Sequence, residues 1–246
     1  MSNQLSLSLE TELPNLPETL RPMLARPLPE PFDSPDHFFE PSWGGLRALA
    51  FVGPAATAGS GEVRLIDVDG VEVGTRLTEL AGLAVRVEAR SAVLDGELVV
   101  VDSAGRADPK ELAARIAGRA GRPVAYLAFD LLHLDGRSLL GVPLVKRREL
   151  LRRVLRPGDE VVAVPAISDE GRALFDAVAA QGIAGVMARQ RTSPYLPGVR
   201  SRLWRFIAAG PAGGALPGSA ADDPPVPASA PVLALIRRLP LLDEDE

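Results

Sequence analysis

Between Phe38 and Phe51 the chain reads FFEPSWGGLRALAF. Glu40 and Arg47 stand close together inside core-like sequence, where a charge needs a partner. Between them, at the place where a reactive group would be held, lie Ser42 and the glycine pair Gly44-Gly45. A serine hydroxyl with no adjacent base is a weak nucleophile. Further on, AVLDGELVVVD puts Asp95 and Glu97 on one face of a strand by alternation, with Gly96 opening space between them. Such a face suits a divalent metal or ribose hydroxyls, and it equally suits an exposed strand beside a D-G bend. In YLAFDLLHLDG, Asp130 reads as the end of a strand, with Phe129 pointing the opposite way as a core aromatic. Asp67-Val68-Asp69-Gly70 starts like a calcium loop but lacks the later acidic ligands, so it reads as a turn.

The cations gather twice. Lys146, Arg147, Arg148, Arg152 and Arg153 fall on the polar side of a helical stretch and read as a solvated face. Arg189, Arg191, Arg200, Arg202 and Arg205 crowd ARQRTSPYLPGVRSRLWRF more densely than a solvated loop needs. Arg189, Arg200, Arg202 and Arg205 are therefore candidate contacts to phosphates or DNA. Of the 27 Lys and Arg residues only Lys110 and Lys146 are lysines, so chemistry that needs a lysine amine has two candidates.

Several elements must position these groups. Proline-rich RPMLARPLPEPFDSPD suits neither a helix nor a central strand and is expected to lie extended over a core. Strand patterns occupy 45–53, 62–68, 92–101, 123–134 and 160–166, with hairpin-type dipeptides at Asp69-Gly70 and Asp135-Gly136. Helical patterns fall at 76–85, 108–118, 144–155 and 170–180. The second of these has Asp108 as N-cap, Pro109 at the first position and Glu111 completing a capping box. The third is expected to bury Leu150, Leu151 and Val154. Strands outnumber helices and adjacent pairs look like hairpins, which predicts an α+β domain with antiparallel sheets. Residues 1–20 read as a flexible leader and 21–208 as the domain. Residues 209–246 read as a low-complexity linker, a short apolar VLALIRRLPLL and an acidic DEDE end.

The 246 residues are 46% hydrophobic, enough for a sizeable core, and carry a net charge of -5, which gives no bulk attraction to nucleic acid. The absence of cysteine excludes thiol nucleophiles, disulfides and zinc-thiolate sites. His37 and His133 lie too far apart in sequence for a metal-ligand spacing. The N-terminus has no basic segment before an apolar one, and no apolar run reaches about 18 residues. A cytoplasmic protein with no membrane partner is the expectation.

In order, FEPSWGGLRAL, VLDGELVV, YLAFDLLHLDGRSLLGVPLVKRRELL and GIAGVMARQRTSPYLPGVRSRLWRF resemble the adenylation domain of ATP-dependent DNA ligases, the bacterial end-joining type especially, over about 23–207. The resemblance implies a nucleotidyltransferase (ATP-grasp-like) fold, two antiparallel sheets flanked by helices with ATP in the cleft between them. It also implies a nucleophilic lysine in a motif E-x-K-x-D-G-x-R. Glu40, Gly45 and Arg47 match that motif, but Ser42 takes the lysine position and Gly44 the aspartate position. In S-R-x-G the arginine position is Val68. In E-G-x-x-x-K the glutamate is Ala184 and the lysine Arg189. In the closing W-x-K-x-K, Trp204 remains while Phe206 and Ala208 replace the lysines. By resemblance, Glu40, Arg47, Glu97, Phe129 and Asp130 retain adenine and ribose recognition, with Glu97 the one acid left for a metal.

The resemblance also implies an oligonucleotide-binding (OB-fold) barrel after the last motif, which 209–246 is not expected to form; this expectation and the substitutions lead to three readings. The first is a ligase-like protein without catalysis that binds nucleotide, DNA or DNA-repair proteins as a scaffold. The second is an active ATP-dependent DNA ligase with non-standard residues, and the third a protein-interaction module without nucleotide. The first implies no obligatory cofactor, weak binding of AMP or ATP, and little support for Mg2+.

Overall fold

The computed structural model describes residues 16–55, 61–103 and 105–209. Most of the expected leader, and the expected linker, apolar segment and acidic end from 210 onward, lie outside the described residues. In chain order the strands are β1 (Leu24–Pro27), β2 (His37–Ser42), β3 (Leu46–Ala55), β4 (Gly61–Asp67), β5 (Ala92–Val99) and β6 (Ala125–Leu134). They continue with β7 (Arg137–Ser138), β8 (Val161–Ala163), β9 (Ile167–Ser168), β10 (Gly185–Gln190) and β11 (Arg200–Ala208). The helices are α1 (Leu83–Arg86), α2 (Pro109–Ile116), α3 (Leu144–Val154) and α4 (Gly171–Ala180), with a 3₁₀ turn at Thr78–Gly82 ahead of α1.

Two sheets face each other. One has the order β1-β11-β10-β2-β9; the other runs β4-β3-β5-β6-β7, with β8 attached to β6. Alternation along β3 explains the layering. Leu49 and Phe51 enter the core shared with the first sheet, where Trp43, Phe129, Tyr195 and Trp204 also lie. Ala48, Ala50 and Val52 point the other way, onto Leu77, Leu80 and Leu83 and the α2 and α3 leucines, Leu112 and Leu151. The period of two thus feeds two cores from one strand. Helix α4 covers the outer face of the first sheet through Leu174 and Val178.

Most pairings are antiparallel, as expected, but β1 pairs β11 and β8 pairs β6 in parallel. Parallel pairing needs a long connection, and both partners here are distant in sequence. The proline-rich segment lies extended and supplies β1, an edge strand, where a missing N–H costs least. Asp135 (φ 48°) and Gly136 (φ 76°) form the turn joining β6 to β7. At the other dipeptide, Asp67 Oδ1 accepts the N–H groups of Asp69 (2.9 Å) and Val71 (2.8 Å), a turn held by its own aspartate.

Three local expectations need correction. Asp130 does not end a strand: β6 continues to Leu134, and one extra β6 residue against β5 shifts the register beside Asp130. The capping box of α2 is half formed. Asp108 Oδ1 accepts the Glu111 N–H at 3.0 Å, but the Asp108 N–H is taken by Val100 O at 2.8 Å. Glu111 turns instead to the Arg122 N–H at 2.9 Å. In α3, Leu151 is buried, but Leu150 and Val154 are only half-buried, and Leu144, Arg147 and Arg148 complete the inward face.

Candidate functional site

Arg47 on β3 reaches diagonally to Asp95 on β5. Its Nε donates to Oδ1 at 3.0 Å and its Nη2 to Oδ2 at 2.5 Å, a bidentate pair. The Tyr195 hydroxyl donates to the same carboxylate at 2.7 Å and accepts the Met23 N–H at 3.0 Å. Burial by itself depresses the Arg47 guanidinium, but Asp95 and Tyr195 outweigh it and hold it above its ordinary value. Asp95 is fully buried and committed to these partners, so it is no exposed strand-face acid.

Glu97 lies on the same face of β5 but does something different. Its carboxylate accepts the Gly45 N–H at 2.5 Å and the Trp43 N–H at 3.3 Å. It therefore holds the Ser42-Trp43-Gly44-Gly45 bend between β2 and β3. Burial raises its pKa, and the N–H groups of Gly45, Trp43 and Gly44 offset only part of that. The bend needs both glycines: Gly44 has φ +78°, and a Cβ on Gly45 would stand 2.1 Å from Leu98 O. The space expected above Gly96 is filled from the helix side by the Tyr126 ring, whose hydroxyl donates to Ala48 O at 3.0 Å. Among the described residues, no three His, Asp or Glu side chains gather as a metal site.

Glu40 does not pair with Arg47. Its two oxygens take ion pairs from Arg148 on α3 and Arg189 on β10, and all three side chains are buried. Arg148 also donates to the carbonyls of Phe129 (2.9 Å) and Val164 (2.5 Å). The Arg189 guanidinium lies 3.9 Å from the centre of the Phe129 ring and 4.8 Å from Trp204. Arg47 flanks the same two rings at 5.3 Å. Burial pulls Arg148 down to about 10 and Arg189 down to about 9, leaving both protonated at neutral pH. Arg189 Nη1 faces Glu40 as an ion, yet neither it nor Nε makes a hydrogen bond of good geometry.

The basic face of α3 is not simply solvated. Arg147 is fully buried and grips Asp130 with Nε (2.8 Å) and Nη2 (2.7 Å), while Nη1 donates to Ser193 O at 3.0 Å. Burial raises the Asp130 carboxyl, against the pull of Arg147. A signal for this was available. Leu144, Arg147, Arg148 and Leu151 follow the i, i+3, i+4, i+7 spacing of a buried helix face, so the two arginines belong with the leucines. Arg152 and Arg153 are exposed, as expected. Tyr195 was not anticipated, and its loop position carries no periodic pattern that would point to it.

The second basic cluster divides. Arg189 turns into the interior, while Arg200 and Arg202 are exposed on β11 and Arg205 is half-buried. Arg200 Nη1 donates to Ala25 O at 2.8 Å. Ser42 is the last residue of β2 and pairs with Gly185. The lysines lie elsewhere: Lys110 is exposed on α2, and Lys146 pairs with Glu149 at 3.0 Å on the surface of α3.

A family model for the ATP dependent DNA ligase domain matches residues 22–206. The chain belongs to this family. Among relatives of the ligase-domain family, the Mycobacterium bovis multifunctional non-homologous end joining protein LigD is 37% identical over 166 residues, covering 68% of this chain and 21% of its own. A probable DNA ligase of Rhodococcus opacus is 36% identical over 150 residues, 59% of this chain and 30% of its own. The chain thus spans well under half the length of these relatives. A solved mycobacterial DNA ligase D complexed with ATP and MES superposes with a TM-score of 0.64 at 32% identity, over 77% of this chain and 60% of that one. A Lig E DNA ligase at 16% identity and TM-score 0.51 shares the fold. The α+β nucleotidyltransferase fold of DNA ligases is therefore the fold of this chain. No helix among the described residues is long and apolar enough to cross a membrane.

Proposed function

We propose that this chain is a ligase-type adenylation domain that has lost nucleotidyl transfer and serves DNA repair as a binding or scaffolding protein. The observation that carries the proposal is Ser42 at the end of β2, where the family resemblance puts the nucleophilic lysine. An amine is needed to form a phosphoramidate, and a serine without a base is a poor substitute. Arginine cannot stand in, because it stays protonated. Lys110 and Lys146 belong to helix surfaces and have no part in the interior between the sheets. The pairing of Asp95 with Arg47 and of Asp130 with Arg147 further supports a structural use of these two acids. The mycobacterial relatives are named for non-homologous end joining and DNA repair, which supports a role at DNA ends.

The test is incubation of the protein with α-labelled ATP and magnesium, followed by denaturation. The proposal expects no label on the chain. A protein-bound, acid-labile label would establish an active ligase with non-standard residues instead.

A further inference from the structure

We infer that Arg189 is the resident occupant of a slot for a planar ligand: its guanidinium stacks on Phe129 beside Trp204 and Glu40, so the chain takes no purine while that side chain is in place. A guanidinium is flat and delocalised, and it stacks on aromatic faces as a heteroaromatic ring does. At 3.9 Å from the Phe129 centroid, Arg189 leaves no room for a second layer on that side. Phe129 is only 6% exposed and Arg189 only 2%, so the slot is closed from within. Position 189 pairs with Trp204 across β10 and β11, which fixes where the side chain begins and keeps it over both rings.

The charges show that Arg189 is not required to neutralise Glu40. Arg148 already reaches one oxygen of that carboxylate and is anchored by the carbonyls of Phe129 and Val164. Two guanidiniums therefore share one carboxylate, and the Arg189 Nε is buried without a hydrogen-bond partner. A buried cation in surplus is costly. What holds it there is the aromatic face and the second Glu40 oxygen, the same two features that a planar base with a hydrogen-bond donor would use. Removing the side chain uncovers the Phe129 ring and frees an acceptor, while Glu40 keeps Arg148.

Adenosine is the probe, because it presents a planar base without phosphates that would be drawn to surface arginines. Binding is measured by isothermal titration and by fluorescence of the chain's two tryptophans, Trp43 and Trp204. Wild type is expected to show no saturable binding, and Arg189→Ala to bind adenosine saturably, with an association constant at least about tenfold above the limit of detection set by wild type. Arg189→Ala/Phe129→Ala is expected to lose the gain. Arg189→Lys retains a cation for Glu40 without the planar group; it is expected to bind adenosine between the two, and it replaces the alanine variant if that one does not fold. Adenosine binding by wild type equal to that of the variants overturns the inference, as does a folded variant with an uncovered Phe129 that binds none. The inference rests on the reading of the cleft as catalytically silent. A covalent adenylate on wild type would overturn that reading, whereas adenosine binding by wild type without an adenylate would overturn only the occupancy by Arg189.

Discussion

Gly44 and Ala184 face each other at the junction of β2 and β10: a Cβ built on Gly44 would stand 2.9 Å from the Ala184 Cβ. By the family resemblance both are positions that call for an acid, and the two are packed against one another. The bend is shaped for the residues it now has.

That packing predicts unequal effects of small substitutions. Gly44→Ala must adopt φ +78° and press on Ala184, and Gly45→Ala must displace the Leu98 carbonyl. Each is expected to cost roughly 1 kcal/mol or more. Ser42→Ala, at a strand end, is expected to cost well under about 1 kcal/mol. Urea melts of the three variants measure this, and equal negligible effects would mean that the bend is slack.

Restoring the nucleophile alone is expected to fail. Ser42→Lys supplies an amine, but Arg189 still covers Phe129, and Gly44 and Ala184 still lack their carboxylates. Labelling with α-labelled ATP is expected to leave Ser42→Lys as unmodified as wild type. A covalent adenylate on this single variant would place the loss of activity in one residue.

Stability is expected to depend on the protonation of Glu97. Its folded pKa lies above the ordinary 4.5, so the native state holds the proton more tightly than the unfolded chain. The contribution is fully present below 4.5 and is lost as pH rises through the folded value. Glu97→Gln cannot titrate. The stability of wild type relative to this variant should therefore decline as pH rises from 4.5, as chemical melts at several pH values will report; a pH-independent difference would contradict the burial argument.

DNA contact, if it is retained, falls to the exposed arginines and not to Arg189. Arg200→Glu/Arg202→Glu is expected to abolish low-salt binding to duplex DNA, while Arg189→Lys leaves that binding unchanged. The wild-type affinity should fall steeply with salt, because phosphate contacts release counterions. Salt-independent binding, or loss through Arg189 alone, would point to a different surface. An absence of binding at low salt would shift the scaffold role to a protein partner.

Local chemistry was legible in the sequence. Strand alternation located the faces of β3 and β5, Asp108 announced α2, and Asp135-Gly136 announced a turn. Each of these signals depends on neighbours within a few residues, where backbone sterics and hydrogen bonding act. The resemblance that sets Ser42 against a lysine is likewise read in one dimension. The choice of ionic partners was not. Glu40 and Arg47 are neighbours in sequence, yet one belongs to the first sheet and the other to the second. Alternation states which way a side chain points but not what packs above it. Only the pairing of β3 with β5 gave Asp95 to Arg47, that of β2 with β10 gave Glu40 to Arg189, and the docking of α3 gave Asp130 to Arg147 and Glu40 to Arg148. In a buried, weakly polar interior each charge must find a partner within a few ångströms, so three-dimensional proximity settles the pairing.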